Sequence, residues 1–161
     1  MEDMLRYLDE VAEPTIKDFE ENPTSVRHAF LACVATYHAI DYLAYPRKRP
    51  ATLRQQFGRR SPDFKTVDEV AHAFKHVVAG NPVKPKLKAT EVISRPPAFL
   101  GVMVLGLSRL NDLHGGVTFD SNRQLDLLAV LRRAVAFLRE QKSRSNNPQP
   151  VVGREYGSTE P

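Results

Sequence analysis

Between Pro23 and Pro46 the chain runs through Thr24–Tyr45 without a glycine or a proline, and this stretch constrains the fold most. At 100° per residue, Phe30, Cys33, Val34, Tyr37, Ile40, Asp41 and Ala44 fall on one face. The segment is predicted to be a long amphipathic helix, started by Thr24 or Asn22 as N-cap and stopped by Pro46. Asp41 is the anomaly, because it lies inside the apolar face. A buried carboxylate is costly unless paired, so Asp41 is expected to have a partner: Arg27, His38 or a residue of the next long helix. His38 lies on the flank of that face, and His28 points the other way.

Punctuation residues divide the remainder. Residues 3–21 read as a helix with Leu5, Leu8, Val11, Ile16 and Phe19 on one stripe and a kink or restart at Pro14. Ala51–Phe57 is predicted to be a short helix closed by Gly58 as C-terminal cap. Ser61-Pro62-Asp63 is a strong helix start: a capping hydroxyl, proline at the first helical position and an acid in the first turn. The helix it opens is expected to run to Ala79, burying Val67, Val70, Phe74, Val77 and Val78, and to stop at Gly80-Asn81-Pro82. Residues 83–94 and 99–109 are rich in β-branched and aliphatic residues and are separated by Arg95-Pro96-Pro97. With a short strand at Val117–Asp120 they suggest antiparallel pairing. Val102–Leu107 is apolar on both faces and is expected to be a sandwiched strand. Asp120-Ser121-Asn122 is read as the cap of a last helix, Arg123–Lys142, with Leu127, Leu128, Leu131, Ala134, Val135 and Leu138 on its core face. The expected fold class is therefore α+β: a helical core of three to four helices with a small two- or three-stranded antiparallel β element before a C-terminal helix. Residues 1–142 form a single domain and 143–161 a disordered tail.

A 161-residue chain that is 42% hydrophobic and 26% charged suits one soluble globular domain. The single cysteine, Cys33, sits in an apolar helical pattern and fits a reducing compartment. The acidic N-terminus is not a signal peptide, and Ala98–Leu107, the longest apolar run, is about half a membrane span. A cytoplasmic protein with no membrane partner and no cofactor is expected.

Charge is unevenly placed. Residues 1–21 carry eight acids against Arg6 and Lys17, whereas residues 46–62 carry Arg47, Lys48, Arg49, Arg54, Arg59 and Arg60 and no acid. Such a basic cluster can contact phosphates. The alternative is that the two segments neutralise each other, within one subunit or across a dimer.

Four of the five histidines fall on the two long helices. His38 and Asp41 are spaced i,i+3; Asp68, His72 and His76 are spaced i,i+4 twice, which stacks side chains on a helix. His72 and His76 are the candidate catalytic pair. His38, Asp41, His72 and His76, with Asp68 beside them, are the candidate metal ligands, since helical bundles assemble such sites from facing helices. Signatures such as His-Glu-x-x-His are absent. With the apolar stripe on the other side of the helix, the plain reading of His72 and His76 is a solvated face, and an intermediate one is a contact with a second subunit.

Arg27-His28-Ala29-Phe30, His38-x-x-Asp41-Tyr42-Leu43 and Asp68-x-x-Ala71-His72-Ala73-Phe74-Lys75-His76 resemble a pattern in a group of uncharacterised small bacterial α-helical proteins, over most of residues 1–140. More remotely, the layout is similar to HEPN-domain proteins, helical dimers that include RNases. Those enzymes carry an Arg, four to six residues, then a His near a helix end. Here that His corresponds to His76, and no Arg stands at that spacing; the nearest upstream is Arg60, and His72 or Lys75 would substitute. The expected function is a soluble binding or regulatory protein, homo-oligomeric and associated with nucleic acid. The alternative is a hydrolase or nuclease using His72 and His76, with or without a metal bound with His38 and Asp41.

Overall fold

The structure, a computed structural model, describes residues 3–46, 48–81 and 84–146. It is α+β, as the sequence predicts. The N-terminal helix is continuous but not regular: α1 (Asp3–Tyr7) passes through a π-helical stretch (Leu8–Ala12) into α2 (Glu13–Glu21). The wider turn explains how Pro14 is tolerated. The amide of Glu13 reaches back to the carbonyl of Leu8, so the helix is already loosened where proline cannot donate. It also keeps Met4, Leu8, Ala12 and Ile16 on one buried line, four residues apart, and leaves Val11 outside it.

Helix α3 (Val26–Ala44) ends before Pro46, as expected, and is capped by Ser25, whose hydroxyl accepts from the amide of His28, not by Thr24 or Asn22. It packs against α1, α2 and three helices that follow: α4 (Pro50–Arg60), α5 (Pro62–His76) and α6 (Leu127–Asn146). Its buried positions are chiefly small: Ala29, Ala32, Cys33, Ala35, Thr36 and Ala39. The large side chains do not mark the buried face here. Small ones do, because they let neighbouring helices approach closely from several directions. Asp41 is consequently at the edge of the face, with its side chain 51% exposed, and the expected burial is not found.

Gly58 is not a cap. Helix α4 continues through it to Arg60, and Ser61 closes α4 with its amide while its hydroxyl accepts from Phe64 to open α5. Phe57 anchors α4, buried edge-on against Phe64 and Phe137.

Helix α5 stops at His76, three residues short of expectation. Val77 adopts φ 68° and is exposed, and Val78 enters a strand. A β-branched residue in the left-handed region is strained, and the hairpin that follows holds it: β1 (Val78–Asn81) pairs antiparallel with β2 (Lys84–Lys88), and the amide of Ala89 bonds to the Val77 carbonyl. A second ladder joins β3 (Val92–Arg95) to β4 (Gly116–Phe119), from Val92 opposite Phe119 to Arg95 opposite Gly116. The β part is therefore two separate two-stranded ladders.

Residues 99–109 form no strand. Successive turns, closed by bonds from Val102 and Met103 to Phe99 and from Leu107 and Ser108 to Val104, break the run, with Gly101 and Gly106 at φ 86° and 78°. The side chains expected in a sandwich face outward instead: Leu105 is 87% exposed and Val102 and Val104 are about half exposed. The base of this loop is tied by Arg95, which is 1% exposed and bonds Asp112 through Nε and Nη2 at 3.1 and 2.8 Å. Gly115 and Gly116 are required there, since an added Cβ would lie 2.5 Å from the Arg95 carbonyl and 2.8 Å from its Nη2 respectively. The last helix begins at Leu127, not Arg123, with Asp126 accepting from the amides of Leu128 and Ala129. It reaches Asn146, four residues into the stretch expected to be tail; residues 147–161 lie outside the described residues. No described helix is long and apolar enough to cross a membrane.

Candidate functional site

The face of α5 opposite its apolar stripe is covered in part: α4 lies against it, leaving Asp68 and His72 partly buried while Lys65 and His76 stay exposed. Arg54 of α4 and His72 of α5 meet there. Arg54 Nη1 lies 3.0 Å from His72 Nε2 and donates to the Tyr37 hydroxyl of α3 at 3.2 Å. The other imidazole nitrogen, Nδ1, is 2.8 Å from the backbone carbonyl of Asp68 and 3.1 Å from its carboxylate. Asp68 also faces Arg54 Nε at 3.7 Å. Three helices thus converge on one polar cluster.

The donor inventory fixes the state of the imidazole. A guanidinium has no lone pair to offer, so Nε2 accepts and the proton sits on Nδ1, donated toward Asp68. Partial burial opposes the charge of Arg54, but the Tyr37 hydroxyl and the Asp68 carboxylate outweigh it and push its pKa above the ordinary value. The Tyr37 ring stands perpendicular to the His72 ring, with centroids 5.1 Å apart, and holds the imidazole plane.

Beside the cluster, a cavity of about 540 Å³ opens between α4 and α5, lined by Arg54, Gln55, Gly58, Arg59, Lys65 and the acids Asp68 and Glu69, with Ala51 at its edge. The basic segment is divided around it. Arg54 and Arg59 line the cavity, Lys48 and Arg49 are exposed at the start of α4, and Arg60 sits over the Phe137 ring at 6.0 Å. Arg47 lies outside the described residues.

Among the described residues the basic segment makes no ion pair with the acidic N-terminal helix; there Arg139 of α6 pairs with Asp9 and Glu13, Arg132 of α6 with Glu20, Arg6 with Glu10 and Lys17 with Glu21. Among the described residues, Lys48, Arg49, Arg59 and Lys65 make no ion pair.

The four candidate metal ligands are not brought together. His38 bonds Asp41 at 2.9 Å, and both His38 and His72 meet the Tyr37 ring rather than each other. Among the described residues no group of three or more such side chains is placed to hold a metal. His76 is exposed and its ring is 6.1 Å from that of His72, so the expected catalytic pair is one engaged and one solvated histidine. Sequence reasoning placed Arg54 in the basic patch and Tyr37 in the core, and did not join either to His72. The i,i+4 step from Asp68 to His72 was the one local signal; the rest needs the packing of α4 on α5. No family model, no curated protein and no solved structure matches the chain.

Proposed function

We propose that the protein binds nucleic acid along its α4–α5 face, with Arg54, Arg59, Lys65 and the exposed Lys48 and Arg49 taking phosphates. The observation that carries this reading is charge left unpaired on one face: among the described residues Lys48, Arg49, Arg59 and Lys65 make no ion pair, and Arg59 and Lys65 border an open cavity. Phosphate contacts supply most of sequence-independent affinity. Adding a single-stranded RNA oligonucleotide to the ¹⁵N-labelled protein is expected to shift amide signals within residues 48–69. Shifts confined to residues 99–113, or none, would overturn the proposal.

A second reading has one specific observation in its favour. An arginine beside a histidine is the pairing that a HEPN-like RNase requires, and here Arg54 reaches His72 from another helix. A phosphate drawing away the guanidinium would leave the Nε2 lone pair to accept a proton from the attacking hydroxyl, with Arg54 offsetting charge at phosphorus. RNA cleavage that persists in chelator and disappears in His72→Ala and in Arg54→Ala, while His76→Ala retains it, would support this reading; cleavage surviving in His72→Ala would remove it.

A cytoplasmic homodimer completes the proposal. Burial raises the pKa of the Cys33 thiol, which keeps it unreactive and suits a reducing compartment. The loop at residues 99–113 turns Leu100, Leu105 and Leu110 outward at 98, 87 and 88% exposure, apolar side chains that a second copy would cover. Sedimentation equilibrium is expected to give a dimer that Leu100→Glu with Leu105→Glu dissociates.

A further inference from the structure

A second cavity, of about 570 Å³, opens between α1 and the C-terminal end of α3, lined by Asp3, Tyr7, His38, Asp41, Tyr42 and Tyr45. Its volume is that of a small-molecule site. Its walls are aromatic: the Tyr7 and Tyr42 rings stack with centroids 4.4 Å apart and planes 23° from parallel, and Tyr45 stands exposed at the rim. The Tyr7 hydroxyl donates to the Ala35 carbonyl at 2.9 Å, which fixes that ring. His38 Nδ1 lies 2.9 Å from Asp41 Oδ2, which holds the carboxylate at the cavity.

Four of the six lining residues are Asp3, Asp41 and the stacked rings of Tyr7 and Tyr42, with Tyr45 and His38 completing the wall, and among the described residues no lysine or arginine lines the cavity. Anions and phosphates are therefore disfavoured. A hydrated metal ion would leave the apolar rings unused. An organic cation uses both features, since its alkyl groups cover the rings while its charge meets the π faces and the carboxylates. The ionisation of Tyr7 points the same way: burial, then Tyr42 and the Asp41 carboxylate, raise its pKa.

We propose that the cavity formed by Tyr7, Tyr42, Tyr45 and Asp41 binds a methylated ammonium group. The site is separate from the α4–α5 face and does not depend on nucleic-acid binding.

The chain has five tyrosines and no tryptophan, and three of the five line this cavity, so tyrosine fluorescence reads the site directly. Titration with choline is expected to give a saturable change. The neutral isostere 3,3-dimethylbutanol, with the same shape and no charge, should bind at least about 10-fold more weakly, because the cation–π and carboxylate attraction is lost. Asp41→Asn and Tyr42→Ala should each weaken choline binding by roughly 3–10-fold. The far-UV circular dichroism should not change, since both side chains are about half exposed. A trimethyl-lysine peptide binding more tightly than choline would assign the ammonium to a protein side chain, and the reverse to a free small molecule; either supports the proposal. Equal binding of choline and its isostere, an unaffected Asp41→Asn protein, or no saturable response at concentrations on the order of 100 mM would overturn it.

Discussion

His72 is held at both ring nitrogens, one by a donor that cannot accept and one by an acceptor, and that asymmetry gives it a defined tautomer. His38 and Asp41 lack such enclosure. Their pair is geometrically good, but both side chains are about half exposed, and exposed pairs contribute little. Asp41→Ala is therefore expected to lower stability by less than about 1 kcal/mol in urea unfolding. A loss of about 3 kcal/mol or more would mean a buried carboxylate with a charged partner after all. The sequence made Asp41 look buried because its neighbours on the helical wheel are large and apolar. The real contact face of α3 is built on alanines, whose small size carries little weight in a hydrophobicity pattern but controls how closely helices approach.

Ser61-Pro62-Asp63 was legible as a helix start because cap, proline and first-turn acid are local requirements met by three consecutive residues. Gly58 was misread for the complementary reason: a glycine after a short apolar pattern resembles a C-terminal cap, yet α4 extends two residues beyond it. An added Cβ at Gly58 would meet only Lys65 carbons at 3.8 and 3.9 Å, an ordinary contact. Gly58→Ala is accordingly expected to stabilise the protein by roughly 0.5–1 kcal/mol, from helix propensity, read as a raised thermal midpoint; a lowered midpoint would place Gly58 in a cap. Residues 99–109 were read as a strand from their aliphatic content, which reports apolarity and not conformation. Two glycines at positive φ make the segment a chain of turns, and its anchor, the Arg95–Asp112 pair, joins residues 17 apart that no local pattern connects. Burial opposes ionisation of Asp112, but the Arg95 hydrogen bonds and the amides of Gly115 and His114 prevail and hold its carboxyl below the ordinary 3.8. A depressed carboxyl contributes stability that is present above its unfolded pKa and lost as pH falls through the folded one. Asp112→Ala, which strands a buried guanidinium, should cost about 3–5 kcal/mol near neutral pH. That difference from wild type should shrink below about pH 4, as the wild-type carboxyl itself is protonated. A difference independent of pH would contradict an ionised Asp112.

At the scale of the whole molecule, charge is sorted by partner. The acidic face of α1–α2 is answered in part by arginines of α6, Asp63 of α5 by Arg133 and Asp68 of α5 by Arg54, while Lys48, Arg49 and Arg59 make no ion pair among the described residues. Both charged segments were visible in the sequence; which one α6 would neutralise was not, because it depends on α6 packing against α2 and α5. The fold class was legible from periodicity and punctuation, and the site only in pieces, since Tyr37, Arg54, Asp68 and His72 come from three helices. The central claim, that the α4–α5 face binds nucleic acid through its uncompensated cations, is tested most directly by fluorescence anisotropy of a labelled single-stranded RNA over a range of salt. The logarithm of the binding constant should fall linearly with the logarithm of salt concentration, and Arg59→Ala with Lys65→Ala should flatten the slope by about 1.4, two single-strand contacts. Arg132→Ala, whose guanidinium is already paired with Glu20, should leave the slope unchanged. Absence of binding at low salt, or a slope that the Arg59 and Lys65 changes do not alter, would contradict the claim.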